Sequence, residues 1–288
     1  MTRPFFISEV SSNHARDMDR CVEFIETSAR INCDAVKFQL FKLDELFAPE
    51  ILAKSEEHRR RRQWELPVEF VPELRAVCDE NAIQFSCTPF YLKAVDELAP
   101  HVHFFKVASY ELIWLDLIKE CAQTGLPLVM STGMANMREI SAAVEAFKGA
   151  GGTQLTLLHC VSGYPAPVDN CNLSAIEAIR AATGVSVGWS DHSRRPAVIQ
   201  RAIHKYNAEM IEFHLDLDEE GAEYKTGHCW LPDEIGPVIS DAHMAFGADG
   251  NGIKEPVPAE APDRAWRADP SDGLRPTLPM REEWAAKQ

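Results

Sequence analysis

Short apolar runs, each followed by a stretch of helical periodicity, recur almost to the end of this chain. Eight of them read as strands: Phe5–Val10, Ala35–Gln39, Ile83–Cys87, Phe104–Val107, Leu128–Ser131, Leu155–Cys160, Val185–Trp189 and Met210–His214. A run that is apolar at nearly every position has to be buried on both faces, which implies a parallel sheet with helices packed outside it. The intervening patterns supply those helices. From Asp17 to Ile31, Met18, Val22, Ile25 and Ala29 make one apolar stripe, and Glu139 to Phe147 and Ala175 to Ala182 read likewise. Gly125-Leu126-Pro127 and Thr183-Gly184 stand where helix ends give way to strands. An open doubly wound sheet needs a phosphate loop after a strand, and neither G-x-G-x-x-G nor G-x-x-x-x-G-K-[ST] follows any of them. The expectation is therefore an α/β chain forming a (β/α)8 TIM barrel over residues 1–246. An extended, irregular tail containing Pro, Gly and Arg is expected over residues 247–288.

Composition decides which partners such a barrel can take. The chain has 288 residues, enough for one barrel, and 44 acidic against 29 basic side chains give a formal net charge of -15. A surface that acidic repels phosphate backbones, so nucleic acid is not an expected partner. An anionic small molecule requires cations gathered locally in a cleft. The apolar run after Met1 meets Glu9 too early for a signal-peptide core, and no segment is long and apolar enough to span a bilayer. The eight cysteines form no C-x-x-C pair and several fall within apolar runs, as at Cys87 and Cys160, which suits a reducing, cytoplasmic setting.

Two stretches interrupt the alternation. Lys42 to Pro67 is an insert after the second strand carrying Arg59-Arg60-Arg61-Arg62, read as a solvated helix face or as a lid over an anionic substrate. The tail from about Gly247 has no apolar period.

In a barrel of this type the chemistry sits at the carboxyl ends of the strands. Polar residues collect there: Glu9 with Asn13-His14, Lys37 and Gln39, Thr88, Lys106 with Ser109, Ser131, Ser162, Ser190 with His192, and Glu212 with His214. Lys37 and Lys106 lie inside apolar strands, where an ammonium needs compensation by an anion or by an internal carboxylate such as Glu9. Two cations ringed by hydroxyl donors suit a phosphate plus a carboxylate. His192 and His214 end neighbouring strands, so their imidazoles can meet and hold a divalent metal; hydrogen-bonded core histidines are the alternative. His159 reads as structural, and His14 is left open.

Ser8-Glu9-Val10 with Asn13-His14, Val36-Lys37-Phe38-Gln39, Thr88-Pro89-Phe90, Phe105 to Ser109, Ser131-Thr132-Gly133-Met134, Leu158-His159-Cys160 to Tyr164-Pro165, Ser190-Asp191-His192 and Glu212-Phe213-His214 together resemble the sialic acid synthase family, from about residue 5 to 245. The resemblance implies condensation of phosphoenolpyruvate with an open-chain amino sugar to a 2-keto acid and free phosphate. It also implies a divalent metal, most often Mn(II), with Mg(II) or Co(II) as alternatives, and a homodimer. It assigns Lys37, Thr88, Lys106, Ser109, Ser131, Ser162, Ser190 and His192 to the phosphoenolpyruvate neighbourhood. His192 and His214 become metal ligands, Glu9 lies beside the reacting enol carbon, and Gln39, Glu111 and Tyr164 face the acceptor.

Three departures touch the acceptor side. The family's C-terminal antifreeze-like domain, which brings an arginine to the partner's acceptor, is not expected in the short tail that follows the barrel. No Gly-Pro-Asp follows the eighth strand, and an ungapped comparison puts Lys225 where its acid would be. Ala15 and Arg16 follow Asn13-His14 where a glycine is expected. Two rival readings stand beside the synthase: a class I aldolase using Lys37 or Lys106 as Schiff-base nucleophile, and a non-catalytic sugar-binding paralogue. For the tail, disorder stands against packing over a barrel mouth, where Arg267 or Arg275 replaces the missing arginine.

Overall fold

The computed structural model describes residues 3–287. Eight strands close in chain order into a barrel: β1 (Phe5–Glu9), β2 (Ala35–Leu40), β3 (Gln84–Pro89), β4 (Phe104–Val107), β5 (Leu128–Ser131), β6 (Leu155–Cys160), β7 (Ser186–Asp191) and β8 (Met210–His214). Every pairing is parallel, including the closing one of β1 with β8. The fold class is the expected one. The strand ends shift where pairing carries them: β3 runs on to Pro89 because Thr88 and Pro89 stay in register with Gln39 and Leu40.

Side chains alternate across each strand, which sorts them into an outer and an inner set. Phe6, Val36, Phe85, Phe105 and Phe213 pack outward with Phe24, Ile25, Ile118 and other helix residues in one large core. Ile7, Ala35, Phe104, Val129 and Leu158 form a separate apolar cluster inside the barrel. One step nearer the carboxyl ends, the inward positions turn polar: Glu9, Lys37, Lys106, Ser131, Ser190 and Glu212, all buried. The apolar layer closes the floor of that polar ring. Gly188 makes the close approach of β7 to β8 feasible, because a Cβ there would collide with the Met210 carbonyl oxygen.

Helix ends follow local chemistry. Met18–Arg30 begins at Asp17, whose carboxylate accepts the Arg20 N–H, and Met137–Gly149 begins with an Asn136/Glu139 capping box. Ala175–Thr183 ends at Gly184, with φ at 69°. The insert after β2 folds into short helices at Leu43–Leu46, Pro49–Lys54 and Glu56–Arg60. Within the arginine run, Arg60 pairs with Glu56, Arg62 pairs with Asp44, and Arg61 lies over the Phe47 and Trp64 rings. All eight cysteines are buried and unpaired.

A second compact unit begins at Gly247. Its residues are not simply extended: Leu278–Ala285 is helical, Trp266 and Trp284 meet edge to face at 5.9 Å, and Asp272 takes both arms of the Arg281 fork. Proline at the helix start and the Asp269 carboxylate, which accepts the Leu278 N–H, organise what composition alone presents as irregular. Among the described residues, no helix is long and apolar enough to cross a membrane.

Candidate active site

β1, β2 and β8 bring the first group together. Glu9, Lys37 and His214 are register partners across these strands. The Lys37 ammonium makes a direct ion pair with Glu9 Oε2 and lies 3.3 Å from Thr88 Oγ1 and 3.7 Å from Glu212 Oε2. An internal carboxylate thus compensates Lys37, one of the two alternatives its burial left open. Gln39 Nε2 and the Ser11 N–H donate to the other oxygen of Glu9, at 2.8 and 3.0 Å. Burial pushes the Lys37 ammonium down to about 8, with Glu212 partly offsetting it.

β4, β5 and β7 supply the second group. Lys106 Nζ donates to Ser131 Oγ at 2.6 Å and to the Val107 carbonyl at 3.1 Å, and it stands 3.7 Å from Glu212 Oε1. Ser190 Oγ donates to Glu212 at 3.0 Å. Burial opposes ionisation of Glu212, but Lys106, Lys37 and His214 together outweigh it and hold the carboxyl below its usual range. Beside Lys106, Ser109 Oγ accepts the Gly133 N–H at 3.0 Å and lies 3.2 Å from Cys160 Sγ. A Cβ on Gly133 would collide with Ser162 Oγ and come within 2.8 Å of Ser109 Oγ, so only glycine leaves this hydroxyl-lined hollow open. Ser162 Oγ and Glu111 Oε2 are buried without a partner. Burial raises the Glu111 carboxyl to about 7 against the pull of Lys106.

The imidazoles form the third group. His192 follows β7 and His214 ends β8, with ring centroids 5.4 Å apart. The Tyr164 ring stacks on His192 at 4.3 Å, which puts Tyr164 beside the imidazoles. His192 Nδ1 donates to the Val161 carbonyl at 2.7 Å, leaving the Nε2 lone pair free to accept a hydrogen bond or to ligate. Burial, reinforced by His214, lowers His192 to about 3. His159 is apart from this group; its Nε2 bonds the Cys171 carbonyl at 3.0 Å and its ring packs on Trp189. His14 is fully buried, with Nδ1 accepting the Arg16 N–H.

The acid beside His214 is Glu223, not anything at position 225, since Lys225 is exposed and pairs with Glu220. Gly221-Ala222-Glu223 delivers a carboxylate two residues earlier than an ungapped comparison allows. Glu223 Oε1 accepts from Ser11 Oγ and Ser12 Oγ at 2.7 and 2.6 Å, and Oε2 faces His214 Nδ1 at 3.2 Å. Sequence reasoning missed Glu223, His228 and Cys229 altogether. It noted Glu212 at a strand end without giving it a role, although Glu212 shares the inward face of β8 with His214.

Of two clefts of about 530 and 460 Å³, the smaller adjoins these groups, lined by Pro165 and Ser193 next to Tyr164 and His192. The larger is at the amino ends of β1 to β3, lined by Arg3, Asp34 and Gln84, the face of a barrel that serves stability rather than chemistry.

Residues 24–254 match the NeuB family. An uncharacterized protein of Methanocaldococcus jannaschii is 33% identical over 261 residues, 89% of this chain and 75% of that protein. The N,N'-diacetyllegionaminic acid synthase of Campylobacter jejuni is 32% identical over 275 residues, 90% of this chain and 81% of that one. Among solved structures, the N-acetylneuraminic acid (sialic acid) synthetase of Leptospira borgpetersenii, in complex with citrate, is similar with a TM-score of 0.80. Its sequence identity is 28%, over 91% of this chain and 90% of that one.

Proposed function

The chain belongs to the NeuB family, and we propose that it condenses phosphoenolpyruvate with an aldehyde amino sugar. The products are a 2-keto-3-deoxy sugar acid of the sialic or nonulosonic type and free phosphate. The observation that carries this reading is the buried ring of two lysines, two carboxylates and the hydroxyls of Thr88, Ser131 and Ser190 at the carboxyl ends of the strands, beside paired imidazoles.

Lys37 and Lys106 are formally balanced by Glu9 and Glu212. A trianionic donor entering a neutral ring needs further positive charge, and the hydroxyls alone do not bring it. A divalent ion does. The donor set fits one: His192 and His214 are kept neutral by burial, and His192 has its second nitrogen tied to a carbonyl, which orients the first. His192 and His214 would hold that ion, Mn(II) in this reading, which would supply Lewis-acid polarisation of the acceptor aldehyde.

Lys37, Lys106, Thr88, Ser109, Ser131, Ser162 and Ser190 hold the phosphate and carboxylate of the donor. Gln39, Glu111 and Tyr164 face the acceptor. The enol carbon attacks the aldehyde carbon, and the new alkoxide takes a proton; Glu111, raised to about 7, has one to give near neutral pH. Positive charge left at C2 is met by Glu9, which releases Lys37 to the phosphate and takes the proton from the incoming water. The resulting tetrahedral carbon expels phosphate by C–O cleavage, its hydroxyl proton leaving with the phosphate as the keto group forms. A cytoplasmic homodimer belongs to the same reading. The unpaired thiols suit a reducing compartment, and exposed Tyr110, Ile113 and Met134 beside the barrel mouth offer an apolar surface to a second copy.

The test is incubation with phosphoenolpyruvate, Mn(II) and a panel of hexosamine-type aldehydes, with phosphate and the keto acid both measured. Stoichiometric release with one aldehyde supports the synthase. Borohydride trapping of pyruvate on Lys37 or Lys106 would instead make it a Schiff-base aldolase, and binding without turnover would make it a sugar-binding paralogue.

A further inference from the structure

The loop after β8 returns to the barrel mouth carrying three more metal-ligating groups. Leu215 and Trp230 form a parallel bridge, and the Trp230 N–H bonds the His214 carbonyl at 2.8 Å, so the segment ending in His228-Cys229 is clamped against the end of β8. Donor atoms of His214, Glu223, His228 and Cys229 consequently lie within 4.8 Å of one another.

We propose that these four residues form a thiolate-containing metal seat that takes Zn(II) or Co(II) in preference to Mn(II). The seat shares His214 with the imidazole pair but does not depend on the condensation reading.

Three of the four donors are already aimed by a second bond. Ser11 and Ser12 occupy Glu223 Oε1, leaving Oε2 facing inward. Thr226 Oγ1 is 2.8 Å from His228 Nδ1, leaving Nε2 to face Glu223 at 3.6 Å. Asn13 Nδ2 donates to Cys229 Sγ at 3.7 Å, the contact that steadies a thiolate, and Sγ lies 3.8 Å from Glu223 Oε2. Four-coordinate zinc bonds of about 2.0–2.3 Å imply ligand–ligand edges of roughly 3.3–3.8 Å. The separations from Glu223 Oε2, at 3.2, 3.6 and 3.8 Å, span that interval. Oxygen-only sites favour Mg(II) or Mn(II), whereas two imidazoles and a thiolate select a softer ion. Binding sends the thiol proton to solvent and ties the loop to the strand that positions His214.

The competing arrangement has Glu223 merely orienting His214 by accepting its Nδ1–H, with Cys229 an inert buried thiol. Titration of the metal-free full chain with Co(II), without substrates, separates the two. The expected spectrum has a near-ultraviolet sulfur-to-cobalt charge-transfer band and the strong visible bands of four-coordinate cobalt, both abolished by one equivalent of Zn(II). Both persist in His192→Ala. Cys229→Ser loses the sulfur band, and His228→Gln weakens Co(II) affinity more than about tenfold, which serves if the cysteine variant does not fold. Cobalt that binds without a sulfur band, or a band that survives in Cys229→Ser, overturns the proposal. Failure of the condensation assay leaves this readout untouched, so the two readings fail separately.

Discussion

Lys37 and Lys106 occupy the same ring on different terms. Lys37 is neutralised by direct contact with Glu9, whereas Lys106 leans on a hydroxyl and a carbonyl and sees Glu212 only at 3.7 Å. Donor binding on these terms requires Lys37 to exchange partners and Lys106 only to accept one. Each charge-assisted bond to the donor is worth roughly 1.5–3 kcal/mol. Lys37→Met and Lys106→Met should therefore each raise the phosphoenolpyruvate Kd more than about tenfold by calorimetry. Unchanged affinity in both would make the lysines structural. His14 yields a second residue-level expectation, in pH. Burial lowers its imidazole to about 4 from an unfolded value of 6.5. A depressed folded value means that the unfolded chain takes up the proton first as the medium becomes acid. The stability concerned is present above pH 6.5 and is lost as pH falls toward 4, by about 3 kcal/mol for a shift of that size. His14→Asn, which keeps an acceptor for the Arg16 N–H, should flatten the fall of Tm between those limits. An equally steep fall in the variant would assign it to other groups.

At the scale of elements, adjacency is what makes the imidazole pair. β7 and β8 are neighbours, so residues just past Asp191 and at the end of β8 meet, whereas His159 on β6 is turned to the Cys171 carbonyl. His192→Ala and His214→Ala should each lower Mn(II) retention more than about tenfold, and His159→Ala should not, as bound-ion electron paramagnetic resonance would report. The same adjacency shows how far the sequence could be read. Strands of near-uniform apolarity, punctuated by Gly184 and by capping residues such as Asp17, announce a barrel. Once the barrel is assumed, the alternation within each strand points Lys37, Lys106 and Ser131 inward. Contacts that depend on register or on loop path were not legible in this way. Whether Lys37 meets Glu9 or an outside anion is decided by the pairing of β1 with β2. Glu223, His228 and Cys229 lie in a segment without periodicity, and only the Leu215–Trp230 bridge places them. That the acid beside His214 is Glu223 and not position 225 likewise depends on the path of this loop, which spacing alone conceals.

For the molecule as a whole, a net charge of -15 makes positive charge scarce near any acceptor site, so exposed arginines outside the barrel matter. In the unit that begins at Gly247, Arg281 is committed to Asp272, while Arg267 and Arg275 are exposed and form no ion pair among the described residues. Trp266 against Trp284, and Asp269 accepting from Ser271 and Leu278, brace the unit internally. A disordered linker would have no use for such bracing. We propose that Arg267 or Arg275 offers a planar fork to the acceptor's acyl group. The groups proposed for donor and metal all lie before residue 247, so truncation after Gly247 should leave phosphoenolpyruvate and metal binding nearly intact while abolishing turnover. Arg267→Lys and Arg275→Lys sharpen the test, since lysine keeps the charge and loses the fork: the arginine in use should show a raised acceptor KM with donor affinity unchanged. Full turnover by the truncated chain, with an unaltered acceptor KM, would sink the idea and leave the acceptor to the barrel's own residues.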